Sequence, residues 1–462
     1  MDTKALKEKL FLTRDNLGKR LAEDEIATAF DFCEGYKTFL DNAKTEREAC
    51  SYVEALAIQQ GYTAFDSKKK YNAGDKVYYM NRGKSIILAR FGKKCVCEGV
   101  RIVAAHVDSP RLDLKPNPLY EDSEIALFKT HYYGGIKKYQ WTAIPLALHG
   151  RIFKRDGSFV DINIGEDEND PMFVVTDLLP HLAAEQMKQP LSEGIKGESL
   201  NILIGSLPFK NCDESESVKL NILNILNEKY GIVEEDFVTA ELEVVPAFKA
   251  KDIGFDRSLI GSYGHDDRVC SYPAVKAIFD CEVPEYTAIT VLTDKEEIGS
   301  QGNTGLKGAY LQYFIEDLAA MVGVPARDVM KKSLCLSADV NAAHDPNYPE
   351  VLERRNAAEI NKGVVITKYT GARGKSDTSD ASAEYMSKVI NMLRDSGVAW
   401  QTGELGKIDL GGGGTVAKYI ANLDIDVVDV GVPVLSMHAP WEVVSKLDVY
   451  SAYRAFTVFF EK

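Results

Sequence analysis

Tyr286-Thr-Ala-Ile-Thr-Val-Leu-Thr-Asp-Lys-Glu-Glu-Ile-Gly-Ser300 decides the fold. Its first seven residues form a continuous apolar and β-branched run, the composition of a strand buried on both faces. The run then stops on charge, Asp294-Lys-Glu-Glu297. Similar runs recur at Gly99-Val-Arg-Ile-Val-Ala-Ala-His106, at Leu334-Cys-Leu-Ser-Ala338 ahead of Asp339, and at Asp426-Val-Val-Asp-Val430 and Pro433-Val-Leu-Ser-Met437 ahead of His438. Between them Tyr385, Met386, Val389, Ile390 and Leu393 mark one face of a helix expected to open near Ser379-Asp380. Buried strands alternating with helices predict an α/β fold, a mixed, largely parallel sheet with helices on both faces.

Upstream, the first sixty residues carry helical spacing, through Ile26–Cys33 and again through Val53–Gln59. Lys76-Val-Tyr-Tyr-Met80 and Ser85-Ile-Ile-Leu-Ala-Arg90 flank a turn and predict a hairpin. Residues 119–247 change character. Arg151–Ile164 alternates around Asp156-Gly157, a strong hairpin signal. An acidic loop, Gly165-Glu-Asp-Glu-Asn-Asp-Pro171, a helix ending near Tyr230 and a strand at Glu241–Val245 follow. No chemistry is apparent in this stretch, which is expected to be an inserted β-rich domain. A domain discontinuous in sequence, 1–118 plus 248–462, is then expected to carry any chemistry, with the insert, 119–247, expected to mediate assembly.

The 462 residues suffice for a large core, and 45% hydrophobic with 27% charged residues is ordinary for a globular protein. A net charge of −14 without a basic cluster disfavours nucleic acid and anionic membranes as partners. The N-terminus has no apolar signal core, no run reaches membrane-span length, and eight scattered cysteines form no zinc-binding pattern. A cytoplasmic location with free thiols is expected.

Five predicted strand ends carry metal-ligating residue types: His106 with Asp108, Asp266 with Asp267, Glu296 with Glu297, Asp339, and His438. One acid after a strand is ordinarily a helix cap or a solvated turn. Five repeats are expected to converge, because strand carboxyl ends in open α/β sheets share a crevice. His106 and Asp108, two apart on an extended segment, project to one face, so Asp108 is spaced to steer the imidazole. Adjacent carboxylates such as Glu296 and Glu297 repel and need cations or protonation. A metal would hold one and leave the other to act as a base.

The chain resembles the M18 family of aminopeptidases, which includes the aspartyl aminopeptidases and the aminopeptidase I type. The likeness rests on Ala105-His-Val-Asp-Ser-Pro110, Asp266-Asp267, Asp294-Lys-Glu-Glu-Ile-Gly-Ser300, Ser337-Ala-Asp339 followed by Pro346-Asn-Tyr348, and Leu435-Ser-Met-His438, in the family's order along most of the chain. The resemblance implies a zinc-exopeptidase-like fold and two divalent ions per subunit, zinc with manganese or cobalt as alternatives. It implies Asp266 as the bridging ligand, His106 and Asp339 at one metal, Glu297 and His438 at the other, Glu296 as general base, and Asp108 as orienter of His106. It further implies peptide substrates and a homo-oligomer, a dimer building block or a tetrahedral dodecamer. The family's histidines before Pro-Asn-Tyr are replaced or displaced here, in Asp339-Val-Asn-Ala-Ala-His-Asp-Pro-Asn-Tyr348. Arg373 or Lys375, in Gly371-Ala-Arg-Gly-Lys-Ser376, is a candidate for the family's nearby basic residue that recognises acidic substrate side chains, against a flexible basic loop, because the local sequence departs from the aspartyl enzymes; acidic and neutral N-terminal residues both stay open. His181 is a candidate for service in a neighbouring subunit's site.

Rival readings have less support. There is no His-Glu-x-x-His and no Gly-x-Ser-x-Gly. Gly411-Gly-Gly-Gly-Thr-Val-Ala417 fits a dinucleotide fingerprint on paper but lacks the βαβ context, and a loop admitting substrate backbone explains it better. A two-metal deacylase of N-acyl amino acids and a non-catalytic peptide-binding scaffold are the remaining alternatives.

Overall fold

The computed structural model describes residues 2–212 and 214–462. Its largest element is a nine-stranded mixed sheet. At the centre four strands run parallel in the order Thr287–Thr293, Val100–His106, Leu334–Ser337 and Asp426–Gly431. Antiparallel strands flank them, Ser85–Arg90 on one side and Val364–Thr367 on the other. Every residue of Thr287–Thr293 and Val100–His106 is buried, which is why those runs are apolar on both faces. Alternation divides them between two cores. Val103, Ala105, Ala288 and Leu292 face the helices Glu23–Asn42, Glu46–Gln59, His265–Asp280, Ala383–Asp395 and Lys446–Glu461. Ile102, Ala104, Ile289 and Val291 face Tyr310–Met321, Ala326–Met330 and Ala417–Ala421. The fold is the mixed α/β sheet with covered faces that the sequence predicts.

One helix start differs from expectation. Ala383–Asp395 opens on Ser382, whose hydroxyl accepts the Tyr385 N–H, and not near Ser379-Asp380. The Asp380 carboxylate is drawn instead to Lys375 Nζ at 3.0 Å.

A second sheet of seven antiparallel strands lies between residues 111 and 246, with its own core around Leu112, Phe128, Trp141, Leu148 and Val244. Leu146–Phe153 and Phe159–Ile164 form the expected hairpin. The sheet's first strand is Arg111–Asp122, so the junction expected at 118/119 falls inside a strand. Pro116 and Pro118 lie within this strand, and neither can donate to a ladder. The structure absorbs them where the register shifts between Leu114 and Leu119.

A third, five-stranded sheet contains Leu259–Ser262, Pro433–Leu435 and Glu442–Ser445. The strands before Asp266 and His438 therefore belong here and not to the large sheet. Short apolar runs do not say which sheet they join. Among the described residues no helix is long and apolar enough to cross a membrane.

Candidate metal centre

Parallel register sets the first contacts. Thr293 pairs with His106, so Glu296 and Glu297 emerge beside the histidine. Asp339 leaves the neighbouring strand on the other side. Gly431 lets the next strand pass Asp339, since a Cβ there would lie 1.7 Å from the Asp339 carbonyl oxygen. Asp266 enters from the first turn of His265–Asp280, and His438 from the loop after Pro433–Leu435.

The two histidines share one carboxylate. His106 Nε2 lies 3.0 Å from Asp266 Oδ1 and 4.0 Å from Asp339 Oδ1. His438 Nε2 lies 3.2 Å from Asp266 Oδ2 and 3.5 Å from Glu297 Oε2. Each Nδ1 faces a main-chain carbonyl, His106 that of Asp108 at 3.0 Å and His438 that of Gly135 at 2.8 Å. A carbonyl only accepts, so each Nδ1 carries a proton and each Nε2 is left facing Asp266. Asp266 Oδ1 and Glu297 Oε1 are buried and accept no hydrogen bond. A buried cluster of acids packed this closely is repulsive until cations lie among them. This nitrogen and oxygen donor set suits zinc. His106, Glu296 and Asp339, and likewise His106, Asp266 and Glu297, bring ligand atoms within 4.8 Å of one another.

Asp108 is fully buried and does more than orient His106. Its side-chain oxygens accept the backbone N–H groups of Glu296 and Glu297, each at 3.1 Å, and the Tyr133 hydroxyl at 2.8 Å. Burial raises Glu296 to about 7, with His106 pulling it down and Asp108 pushing it up. Burial also raises Glu297 and Asp339 well above the carboxylate range, and acid neighbours add to it. Asp266 goes the other way, since its burial is outweighed by His106 and His438.

Asp266, Glu296, Glu297, Asp339 and His438 line a cleft of about 420 Å³. Gly412, Gly413 and Gly414 form part of its wall, and the helix beyond them, Ala417–Ala421, has only five residues. Lys418 is the lysine on that wall, its Nζ 2.8 Å from Asp377 Oδ1. Arg373 and Lys375 do not line the cleft. They border an adjoining cavity of about 210 Å³ that shares Thr370 and Leu405 with it. Lys375 is held by Asp380 and stacks 3.9 Å from the Tyr369 ring. His181 is exposed on a turn of the second sheet's region, away from the cleft lining. Sequence reasoning missed Glu442, Tyr133, Gly135 and Lys418. Only Asp267, adjacent to Asp266, carried a signal, and its carboxylate accepts the His106 N–H at 3.1 Å.

Residues 39–460 match the family model described as aminopeptidase I zinc metalloprotease (M18). The chain belongs to the M18 family. It is 48% identical over 452 residues to a probable M18 family aminopeptidase 1 of Clostridium acetobutylicum, covering 96% of this chain and 97% of that one. The crystal structure of an M18 aminopeptidase from Thermotoga maritima superposes with a TM-score of 0.94 at 44% identity, over 98% of this chain and all of that one. A dodecamer of S. cerevisiae mApe1 shares the fold, with a TM-score of 0.74 at 21% identity over 95% and 97% of the two chains. This M18 chain is thus a metal-dependent aminopeptidase, a hydrolase of peptide bonds in a zinc family.

Proposed function

We propose that the enzyme removes N-terminal residues from peptides with two divalent ions, Asp266 serving both. His106 and Asp339 complete one site, and Glu297 and His438 the other. The observation that carries this reading is the Asp266 carboxylate, with one oxygen 3.0 Å from His106 Nε2 and the other 3.2 Å from His438 Nε2. Zinc held by these residues would supply Lewis-acid chemistry, polarising the scissile carbonyl and lowering the pKa of water. Glu296 takes the proton of the attacking water and delivers it to the leaving amine. Its carboxylate lines the cleft next to the proposed ligand Glu297, within reach of a proton to be accepted and returned there. Asp108 holds both neighbouring parts, His106 through its carbonyl and the Glu296–Glu297 backbone through its carboxylate.

The same reading places the enzyme in the reducing cytoplasm, supported by eight cysteines that form no disulfide. It assembles copies of itself through the second sheet's region, whose surface is rich in exposed leucine and methionine.

Glu296→Gln tests the mechanism. Elemental analysis is expected to find two ions per chain in variant and wild type alike, with kcat on aminoacyl substrates about 10²–10⁴-fold lower in the variant. Near-normal turnover removes Glu296 as the base. One ion per chain in the active wild type removes the paired site.

A further inference from the structure

The region expected to lack chemistry sends one piece of chain into the metal centre. The strand Ile125–Tyr133 ends in Tyr133-Gly134-Gly135, and all three residues touch it. The Tyr133 hydroxyl donates to Asp108 Oδ2 at 2.8 Å. That carboxylate holds the N–H groups of Glu296 and Glu297. Gly134 packs on Glu297, where a Cβ would lie 3.3 Å from the Glu297 Cβ and φ is +73°. The Gly135 carbonyl accepts His438 Nδ1–H at 2.8 Å and so aims Nε2 at Asp266 and Glu297.

The tyrosine is itself anchored. The Arg111 guanidinium sits 4.0 Å from its ring centroid. Arg111 is in turn paired with Glu46 and Glu243, each at 3.2 Å, one from a helix on the large sheet and one from the second sheet. The hydroxyl is therefore fixed relative to both sheets, and it bonds a buried charge that no water reaches.

We propose that Tyr133 is a positioning residue of the peptidase reaction, and that the second sheet shapes the metal centre through Tyr133 and Gly135. The inference rests on the two-metal reading above. Tyr133 sets the Glu296–Glu297 backbone by way of Asp108, and Gly135 fixes the His438 tautomer. Losing the hydroxyl loosens the base and one ligand together, while substrate binding elsewhere in the cleft is untouched.

The test is Tyr133→Phe in the full chain, which keeps the ring under Arg111 and deletes one oxygen. Tyr132→Phe, at an exposed neighbouring position, is the control. Tyr133→Phe is expected to lower kcat about 10–100-fold, to leave KM within about twofold, and to speed zinc release to a chromogenic chelator by a similar factor. The thermal midpoint of the zinc-free protein should stay at the wild-type value. Wild-type kcat with wild-type zinc release overturns the proposal. So does a fall in the zinc-free midpoint that accounts for the lost activity, or an equal loss in Tyr132→Phe. A wild type devoid of aminopeptidase activity would defeat the two-metal peptidase reading, while the zinc-release comparison still decides the role of Tyr133.

Discussion

Glu442 shows how much of a metal centre is backbone. Its carboxylate accepts the Asp266 N–H at 3.0 Å and the His438 N–H at 2.6 Å. Burial, with Asp266 adding to it, raises the group to about 8, while those two N–H groups pull it down. Glu442→Ala strands two buried donors, at about 1–3 kcal/mol each, and frees two ligands to drift. Zinc affinity is expected to fall about 10–100-fold, measured by chelator competition, together with the denaturation midpoint. Glu442→Gln keeps one acceptor oxygen and should fall between alanine and wild type. Indistinguishable alanine, glutamine and wild-type proteins would refute the role. His106, Glu296, Glu297 and Asp339 were legible in the sequence because each ends or closely follows a largely apolar strand. Glu442 was not, because it opens a four-residue strand and acts on a backbone 176 positions away. No local pattern encodes a contact at that separation.

Among the elements, periodic ones were readable and their junctions were not. The helix Glu46–Gln59 and the hairpin around Asp156-Gly157 follow from spacing and turn chemistry. The acidic loop after Gly165 carries no assigned role in the sequence, yet Glu166 is a clamp between the two sheets' regions. Its carboxylate meets Lys44 at 2.6 Å, Lys249 at 2.8 Å and His149 at 3.1 Å. Burial penalises its charge, but His149, Lys44 and Lys249 outweigh that and lower it to about 2 from 4.5. A carboxyl depressed on folding contributes stability that is full above about 4.5 and is lost as pH falls towards 2. His149 stays protonated across that window, because Glu166 and Glu48, one at each ring nitrogen, outweigh its burial and raise it above the usual imidazole range. Glu166→Gln should therefore be less stable at pH 7 and show a flatter loss of stability between pH 4.5 and 2. Thermal midpoints against pH give the comparison, and parallel acid limbs would reject the clamp.

At the scale of the whole molecule, the surface of the second sheet's region asks for a partner. Met172, Leu178, Leu179, Leu191 and Leu207 are exposed there, and Leu182 and Met187 are 69% and 74% exposed. Clusters of this kind mark interfaces. His181 lies between Leu179 and Leu182, so contact through this surface would carry it towards another copy. Each chain brings a net charge of −14, so association works against repulsion that salt screens. Two consequences separate an apolar interface from an electrostatic one. Raising salt from about 0.01 to 0.15 M, which shortens the screening length from about 30 to 8 Å, should strengthen assembly. Leu182→Asp with Met187→Asp should reduce the mass measured by light scattering, since it places two charges per chain in the contact. His181→Ala should leave the mass unchanged and lower kcat only in the assembled protein, if the histidine serves a neighbour's cleft. A double variant that keeps its mass at both salt concentrations would move the interface elsewhere and leave this surface to another partner.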